Sequence, residues 1–432
     1  MGIVVPLRGR KPLHVANSTP ASLTSNPTWR ELKEGLQERS LQSIGVELTR
    51  RVLLEAMEQE ADELCGGEKG RHLKSERNAS RHGNAPCSVP YGSARMKLSR
   101  PRLRSNGKEV LLSTYIAARD GGFPLEAVLK TCLDGASQRR YPETARRLQE
   151  TGSNGFHHYS KSTINRRFVA AADKVRKTLQ TRQLDGRRFL ALYIDGTVEQ
   201  GHHIISVLGL TEDGEKMILG LREGSSESSE VCQELFTNLL SRGLDVSRGF
   251  LAVIDGGKGL ASALRSTFGH KAILQRCRAH KTRNVLEKVP ECERDHLKRY
   301  LQRAWSETDP RQAKRLLELT ARNLEARGRR RAARSLREGL SDTLACNFLG
   351  LPSDCDLTRS LVTTNPIESL NGYVADRARR VCRWRSGRMF LRWTAISMAE
   401  AEASFSRIDN SVGLHNLKTA LEKRATLLKA AA

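Results

Sequence analysis

The feature that most constrains this chain is a set of five strand-like segments between residues 188 and 277. The segments read RFLALYIDG, HHIISVLGLT, EKMILGLREG, GFLAVIDGG and KAILQRC. The first three follow one another closely, which predicts an antiparallel meander. Helix-like stretches separate the third from the fourth and the fourth from the fifth, and strands separated by helices are normally parallel. The pattern predicts a mixed five-stranded sheet in an α/β domain.

Three antiparallel strands followed by two strand–helix units is the strand order of the ribonuclease H-like fold. Asp195 ends the first strand and Asp255 ends the fourth, and these strands are neighbours in that topology. Two carboxylates so placed repel each other unless a cation lies between them, and hard oxygen ligands suit Mg²⁺ or Mn²⁺. The alternative for Asp195-Gly196 is a tight hairpin turn.

The charge of the chain predicts a polyanionic partner. Its net charge is +25, from 73 Lys and Arg against 48 Asp and Glu, which attracts nucleic acid or an anionic membrane surface. No apolar run approaches the roughly 18 residues of a transmembrane helix, and the N-terminal apolar stretch is too short for a signal peptide. The nine Cys include no CxxC pair, which is typical of reduced thiols. A soluble, cytoplasmic, nucleic-acid-binding protein is therefore expected, with no membrane partner.

The N-terminal part predicts a mostly helical DNA-binding region over residues 29–185. Residues 1–28 are rich in Ser, Thr, Asn and Pro and predict a disordered N-terminus. Apolar residues then recur at helical spacing up to residue 64. Residues 65–90 have the composition of a basic loop, and ARMKLSRPRLRS alternates like a strand.

Residues 141–172 form a helix-turn-helix candidate. Pro142 suits the first turn of one helix, Gly152 suits its end, and Ser160 or Ser162 suits the cap of the next. The second helix would present four side chains where major-groove contacts are usually made: Lys161, Asn165, Arg166 and Arg167. The alternative is an ordinary helical hairpin with a solvated basic face.

Beyond His280 the chain has helical periodicity. Three Arg-rich amphipathic segments predict a helical insertion over residues 291–358. The α/β domain would then consist of residues 186–290 and 359–408, with two further helices near 366–380 and 389–406. Residues 409–432 would form a C-terminal helix or tail.

Glu368 lies at the start of the first of these late helices, in TTNPIESLNG. One interpretation is a capping box, in which Asn365 caps the helix and Glu368 bonds back to it. The other is a third acidic ligand, since Glu368 and Asn371 share a helix face at i, i+3. The local sequence leaves both open.

Four motifs in this order resemble bacterial insertion-sequence transposases of the Mutator type: DGT, VIDGGKGL, QRCRAHKTRNV and TTNPIESLNG. The resemblance spans roughly residues 80 to 400. It implies a DDE triad on Asp195, Asp255 and Glu368, and the family's Cys-x-x-His signature on Cys277 and His280. Asn371 would support the triad.

One position departs from a pattern found in some DDE enzymes, which carry a basic residue seven positions after the Glu. That position is Ala375 here, and Arg377, Arg379 and Arg380 follow it. No role is therefore transferred to a basic residue at that position.

The resemblance implies a transposase that cleaves transposon ends and transfers the 3′-OH to target DNA. Two Mg²⁺ (or Mn²⁺) ions per active site are expected, with Asp195 contacting both and Asp255 and Glu368 one each. Terminal inverted repeats and target DNA would be the partners of a homodimer or higher oligomer, associated with the nucleoid. The alternatives are a ribonuclease H-like nuclease or resolvase, and a non-catalytic DNA-binding regulator.

Cys277-x2-His280 is followed by Cys292-x3-His296, which imitates a tetrahedral zinc site. Against zinc, Pro290 starts a new segment between the two pairs. A plain packing role for Cys277 is another alternative. The favoured hypothesis is that a short turn directs His280 towards the metal site and the scissile phosphate, with Cys277 fixing the turn. Lys281 and Arg283 would then add positive charge along the DNA path.

Overall fold

The computed structural model describes residues 41–67, 78–91, 94–120, 156–199, 201–224, 229–379, 381 and 383–430. They divide into two compact units, one containing the described residues up to Lys161 and the other those from Ser162 onward. The N-terminal segment predicted to be disordered lies outside the described residues, and so does the first helix of the helix-turn-helix candidate.

The first unit packs helices against a four-stranded sheet. Its elements are α1 (Leu41–Cys65), β1 (Ser80–Tyr91), β2 (Ala94–Ser105), β3 (Lys108–Val110), α2 (Ser113–Asp120) and β4 (Phe156–His158). Strand β2 pairs antiparallel with β1, β3 and β4, and Val89 and Met96 contribute to a core shared with α1.

The predicted basic loop over residues 65–90 is wrong for residues 80–90, which belong to β1. This strand carries Pro86 and Pro90, which lowered its strand propensity in the sequence. Because β1 lies at the end of the strand order β1-β2-β3, it is an edge strand. Edge strands tolerate proline, since half of their main-chain groups need no ladder partner.

The sheet of the second unit confirms the predicted strands and their directions. Its strands are β5 (Phe189–Glu199), β6 (His202–Thr211), β7 (Lys216–Gly224), β8 (Phe250–Ile254) and β9 (Ala272–Arg276). Their order is β7-β6-β5-β8-β9. The β5–β6 and β6–β7 pairs are antiparallel, and the β5–β8 and β8–β9 pairs are parallel.

Helices cover both faces of this sheet. They are α3 (Lys161–Thr181), α4 (Ser229–Ser241), α5 (Lys258–Phe268), α6 (Arg278–Leu286), α7 (Glu291–Ser306), α8 (Pro310–Ala326), α9 (Arg330–Arg337), α10 (Ala345–Phe348), α11 (Asp356–Leu361), α12 (Asn365–Ala378), α13 (Gly387–Glu402) and α14 (Ser411–Ala430). One face packs against α4 and α5, and the other packs against α11 to α14. None of the helices in the described ranges combines the length and apolar character that crossing a bilayer requires.

Helix α3 was predicted to be the recognition helix of the N-terminal region. It belongs to the second unit instead, apart from its first residue. Its apolar face is buried through Ile164, Phe168 and Leu179, and the Phe168 ring lies 5.2 Å from the Trp393 ring of α13. The buried apolar residues of α3 therefore pack it against the second unit.

Helices α7 to α10 lie within residues 291–358, where the sequence predicts a helical insertion. Helices α7, α8 and α9 build a small core of their own, to which Val285 of α6 contributes. Three polar side chains join the insertion to β9 and α6: the buried Gln275 and Lys281 and the half-buried Arg278. Their acceptors are mainly main-chain oxygens, those of Thr343, Trp305, Ser335 and Glu338. The insertion is thus fixed to β9 and α6 by hydrogen bonds as well as by apolar contact.

Candidate active site

Asp195 and Asp255 lie next to each other at one sheet edge. Strands β5 and β8 are parallel and pair Ile194 with Ile254, so the next residue of each chain segment is an aspartate. Side chains alternate between the two faces of a strand. The residues that share their face are core residues packed with α12: Ala191, Tyr193, Leu251 and Val253. Both aspartates therefore point to the face that α12 covers.

The alternative of a tight turn at Asp195-Gly196 is wrong. Strand β5 continues to Glu199, and Asp195 pairs with Ser206 of β6 in the antiparallel ladder. The reversal comes five to six residues later, where Gly201 adopts a positive φ of 82°. Asp195 is therefore a strand residue and not part of a turn.

Helix α12 brings a third carboxylate to this edge. Its residues Ile367, Leu370 and Val374 are buried in the core. One turn after Glu368, the Asn371 amide donates a 2.8 Å hydrogen bond to Oδ2 of Asp195. Helix and strand are therefore tied together at the site itself.

The electrostatics of Asp195 reflect this convergence. The pKa of Asp195 is raised to about 6, chiefly by burial and then by the neighbouring charges of Asp255 and, less strongly, Glu368. The Asn371 hydrogen bond works in the opposite direction. A bound cation would strongly stabilise a carboxylate that neighbouring like charges repel.

Glu368 is not part of the predicted capping box. Thr364, not Asn365, is the N-cap residue of α12. Oε1 of Glu368 accepts a hydrogen bond from the Thr364 hydroxyl and lies 3.6 Å from Nδ1 of His280. The carboxylate therefore bonds the hydroxyl of the N-cap residue Thr364 and lies beside His280, whereas the predicted capping box would join it to Asn365.

The turn after β9 places Cys277 and His280 beside Glu368. The Cys277 amide donates to the Ile254 carbonyl at 2.7 Å, and its buried Sγ accepts from the Thr364 amide at 3.4 Å. A hydrogen bond with Cys277 raises the pKa of His280, and the carboxylates of Glu368 and Asp255 add to this. His280 thus lies in the first turn of α6, and its contact with a scissile phosphate stays a prediction.

Cys292 and His296 do not join this cluster. Both lie on α7 and are exposed. Among the residues that the structure describes, one trio of Cys, His, Asp or Glu has ligand atoms within 4.8 Å of one another, and it consists of Cys277, His280 and Glu368. The geometry does not assemble the four-ligand zinc site.

The predicted DNA-contacting residues fall into two groups. Lys161, Asn165, Arg166 and Arg283 are exposed, and Arg167 is half-buried. The prediction that Lys281 lies along the DNA path is wrong, because its side chain is fully buried. Its ammonium group donates to the carbonyls of Ser335 at 2.6 Å and Glu338 at 2.5 Å, so it caps the C-terminal end of α9 and does not face DNA.

Sequence reasoning missed two polar residues at the site. Ser206 is buried, and its hydroxyl lies 3.5 Å from the Asn371 side-chain oxygen. Thr364 links Glu368 to His280. The first could be found only from the β5–β6 register, which pairs it with Asp195. The second had a local signal, since it directly precedes Asn365-Pro366 at a helix start.

Fold and site together define an α/β protein with an acidic centre at a sheet edge, where two neighbouring strands and one helix converge. The chain belongs to the Mutator family of transposases: the family described as "Transposase, Mutator family" matches residues 24–404. The resemblance seen in the four sequence motifs is thereby confirmed.

Curated relatives agree with this family. The chain is 30% identical to the transposase for insertion sequence element IST2 of Acidithiobacillus ferrooxidans over 199 residues, which are 46% of this chain and 65% of that protein. It is 28% identical to the transposase for insertion sequence element IS1081 of Mycobacterium tuberculosis over 333 residues, 74% of this chain and 75% of that protein. The match to the first relative thus covers slightly less than two thirds of its length.

Proposed function

We propose that this protein cleaves DNA at the ends of an insertion sequence and joins the exposed 3′-OH to target DNA, using Asp195, Asp255 and Glu368. The observation that carries the proposal is the convergence of these carboxylates, with Asn371 bonded to Asp195 and His280 beside Glu368. The strand order supports a ribonuclease H-like catalytic domain.

The residues present fit divalent cations. Three carboxylates supply hard oxygen ligands of the kind that Mg²⁺ or Mn²⁺ prefers. Burial and then the charges of Asp255 and Glu368 raise the pKa of Asp195, so a bound cation would stabilise its ionised form. The Thr197 hydroxyl, two residues after Asp195 on the strand, is buried without a partner. Asp195, Asp255 and Glu368 would hold two ions, which lower the pKa of an attacking oxygen and stabilise the leaving one.

Both reactions are in-line displacements at phosphorus. In the first, a water oxygen bonds to phosphorus at the transposon end, the bond to the 3′-oxygen breaks, and a 3′-OH is exposed. In the second, that 3′-OH bonds to a target phosphorus and a target 3′-oxygen leaves as a hydroxyl. One site can serve both steps, because each exchanges one phosphoester oxygen for another.

Other side chains of the protein orient the carboxylates and would neutralise the charge of the DNA phosphate. Asn371 fixes the orientation of Asp195, and the Thr364 hydroxyl fixes Glu368. His280, whose pKa is raised by its bond with Cys277, would donate a hydrogen bond to the scissile phosphate. Arg283 and the exposed Lys161, Asn165 and Arg166 would contact DNA elsewhere. Double-stranded terminal repeats and target DNA, and more than one copy of the chain, would form the active complex.

Single alanine substitutions of Asp195, Asp255 and Glu368 test the proposal. We expect each to abolish cleavage of end DNA in Mg²⁺ while leaving DNA affinity nearly unchanged, because the carboxylates bind ions and not bases. Cleavage is measured on a labelled transposon-end duplex, and binding by gel shift. Normal cleavage by Glu368→Ala would show that another acid serves the site.

A purely hydrolytic nuclease is the second candidate, since the same carboxylates support hydrolysis alone. The two functions separate on a pre-cleaved end carrying a 3′-OH. A transposase joins this end to a plasmid target, and a nuclease yields no joined product.

A further inference from the structure

The cluster next to the catalytic carboxylates contains a ligand set of a different chemical kind. Cys277 Sγ, a ring nitrogen of His280 and a carboxylate oxygen of Glu368 all lie within 4.8 Å of one another. Thiolate, imidazole and carboxylate are the ligand types of Zn²⁺, whereas Mg²⁺ binds oxygen ligands. The trio is therefore selective for a softer ion than the three carboxylates are.

We propose that Cys277, His280 and Glu368 form a Zn²⁺ site that overlaps the catalytic site and shares Glu368 with it. Zinc bound there withdraws Glu368 from the carboxylate triad and inhibits DNA cleavage. The inhibition rests on the proposed function, but the binding of the ion does not.

The local geometry is close to what the ion requires. In a tetrahedral zinc site the ligand atoms are about 3.4–3.7 Å apart, given zinc–ligand bonds of about 2.0–2.3 Å. His280 Nδ1 and Glu368 Oε1 are already 3.6 Å apart. Cys277 is the N-cap of α6 and His280 follows within its first turn, so both come from one short, well-packed segment. Closing the site requires movements of about 1 Å or less.

Access to the site comes from one side. Cys277 is fully buried, whereas the side chains of His280 and Glu368 keep 24% and 36% of their surface exposed. An ion would meet these two ligands first and the thiol last. Its arrival releases the thiol proton and displaces the Thr364 hydroxyl from Glu368. With three protein ligands, a fourth position stays open for water or a phosphate oxygen.

Cobalt(II) tests the binding on the DNA-free, full-length protein, because a Co²⁺–thiolate bond gives a charge-transfer absorption that Mg²⁺ cannot produce. We expect one Co²⁺ per chain, displaced by Zn²⁺ and retained in excess Mg²⁺. Cys277→Ala should abolish the band, and His280→Ala should weaken Co²⁺ binding at least 10-fold. Cys292→Ala is the matched control, since it removes an exposed thiol elsewhere and should leave the band intact.

Glu368→Gln keeps Cys277 and His280 while removing the carboxylate ligand. We expect it to retain a thiolate band but to bind Co²⁺ at least 10-fold more weakly. A band that survives Cys277→Ala, or Glu368→Gln binding with wild-type affinity, overturns the proposed site. If the wild-type protein gives no band at all, the proposal is also wrong.

The proposed inhibition is tested on the wild-type protein in a DNA-cleavage assay that contains Mg²⁺. Micromolar Zn²⁺ should suppress cleavage, and a zinc chelator should restore it. If Co²⁺ binds as expected while Glu368→Ala cleaves normally, the metal site stands and the triad assignment fails. If the triad variants are inactive but no thiolate band forms, the assignment stands and the zinc site fails.

Discussion

Asn371 holds Asp195 through a single amide hydrogen bond of 2.8 Å, and Ser206 lies behind it. Groups that orient a metal-binding side chain typically contribute 10- to 100-fold to activity or metal affinity. We expect Asn371→Ala to lower the cleavage rate by about this factor, and to raise the Mg²⁺ concentration needed for half-maximal rate. Both are measured by titrating Mg²⁺ in a cleavage assay.

Ser369→Ala is the control for this variant, because it changes an exposed residue of the same helix. A positioning role would be contradicted if Asn371→Ala cleaved slowly but needed the same Mg²⁺ concentration as the wild type for half-maximal rate. In that case excess Mg²⁺ or Mn²⁺ would not restore the rate.

Lys281 makes the stability of the protein depend on alkaline pH. Burial lowers the pKa of Lys281 to about 8, against about 10.4 in an unfolded chain. Between these values the unfolded chain binds one proton more than the native protein, so stability rises with pH. We expect the free energy of unfolding of the wild type, measured by urea denaturation, to increase between pH 8 and pH 10 relative to that of Lys281→Met.

Lys298→Met removes an exposed lysine of α7 and should follow the wild-type pH profile. Identical profiles for wild type and Lys281→Met would mean that the ammonium group stays protonated in the native state throughout this range.

At the residue scale, the sequence predicted those members of the site that carry a local signal. Asp195 and Asp255 each follow an apolar run in the sequence, and Glu368 follows a helix start. Ser206 could not be predicted, because its role depends on which residue of β6 lies opposite Asp195. The burial of Lys281 depends on an insertion helix more than 50 residues away, and a lysine in a basic motif predicts exposure when taken alone.

At the element scale, α9 is the insertion helix that packs on α6, the helix that begins beside the active site. Its outward face carries three exposed arginines: Arg330, Arg331 and Arg334. Guanidinium groups on one helix face suit phosphate contacts. We expect Arg330→Gln, Arg331→Gln and Arg334→Gln together to weaken DNA binding on all sequences alike. The slope of log affinity against log salt should fall by about 2–3, as measured by fluorescence anisotropy.

The matched control removes the same charge from the outer face of α8, by replacing Arg311, Arg315 and Arg322 with Gln. An equal loss of affinity in both triple variants would attribute the effect to overall charge and not to the α9 face.

The elements themselves were predictable to different degrees. The five strands of the larger sheet and the helices of the insertion have clear periodicity, and they form as expected. Strand β1 was missed because its stability comes from pairing with β2 and not from its own residues. The placement of α3 was missed because the basic face suggested DNA, whereas the opposite apolar stripe, which contacts Trp393, determines where the helix packs.

At the scale of the whole molecule, the carboxylates proposed for DNA cleavage lower the stability of the metal-free protein. Asp255 raises the pKa of Asp195, so the metal-free protein carries a repulsion that the unfolded chain lacks. We expect Asp255→Asn to raise the melting temperature in EDTA by about 1–3 °C while abolishing cleavage. Mn²⁺ should stabilise the wild type but not the variant, as measured by differential scanning fluorimetry.

Asp354→Asn, an exposed carboxylate away from the sheet edge, controls for the change in net charge. A lower melting temperature for Asp255→Asn in EDTA would mean that its hydrogen bond with the Gly257 amide outweighs the repulsion.

The hydrogen bonds that join the insertion to β9 and α6 limit how far this enzyme can be shortened. A compact version without residues 291–350 would lose the acceptors of Gln275, Arg278 and Lys281. Arg278 and Lys281 would lose their acceptors together with the helices that bury them, and Val285 of α6 would lose the apolar residues that it packs against. A shortened version of this chain would therefore need a polar residue in place of Val285, which the deletion would expose.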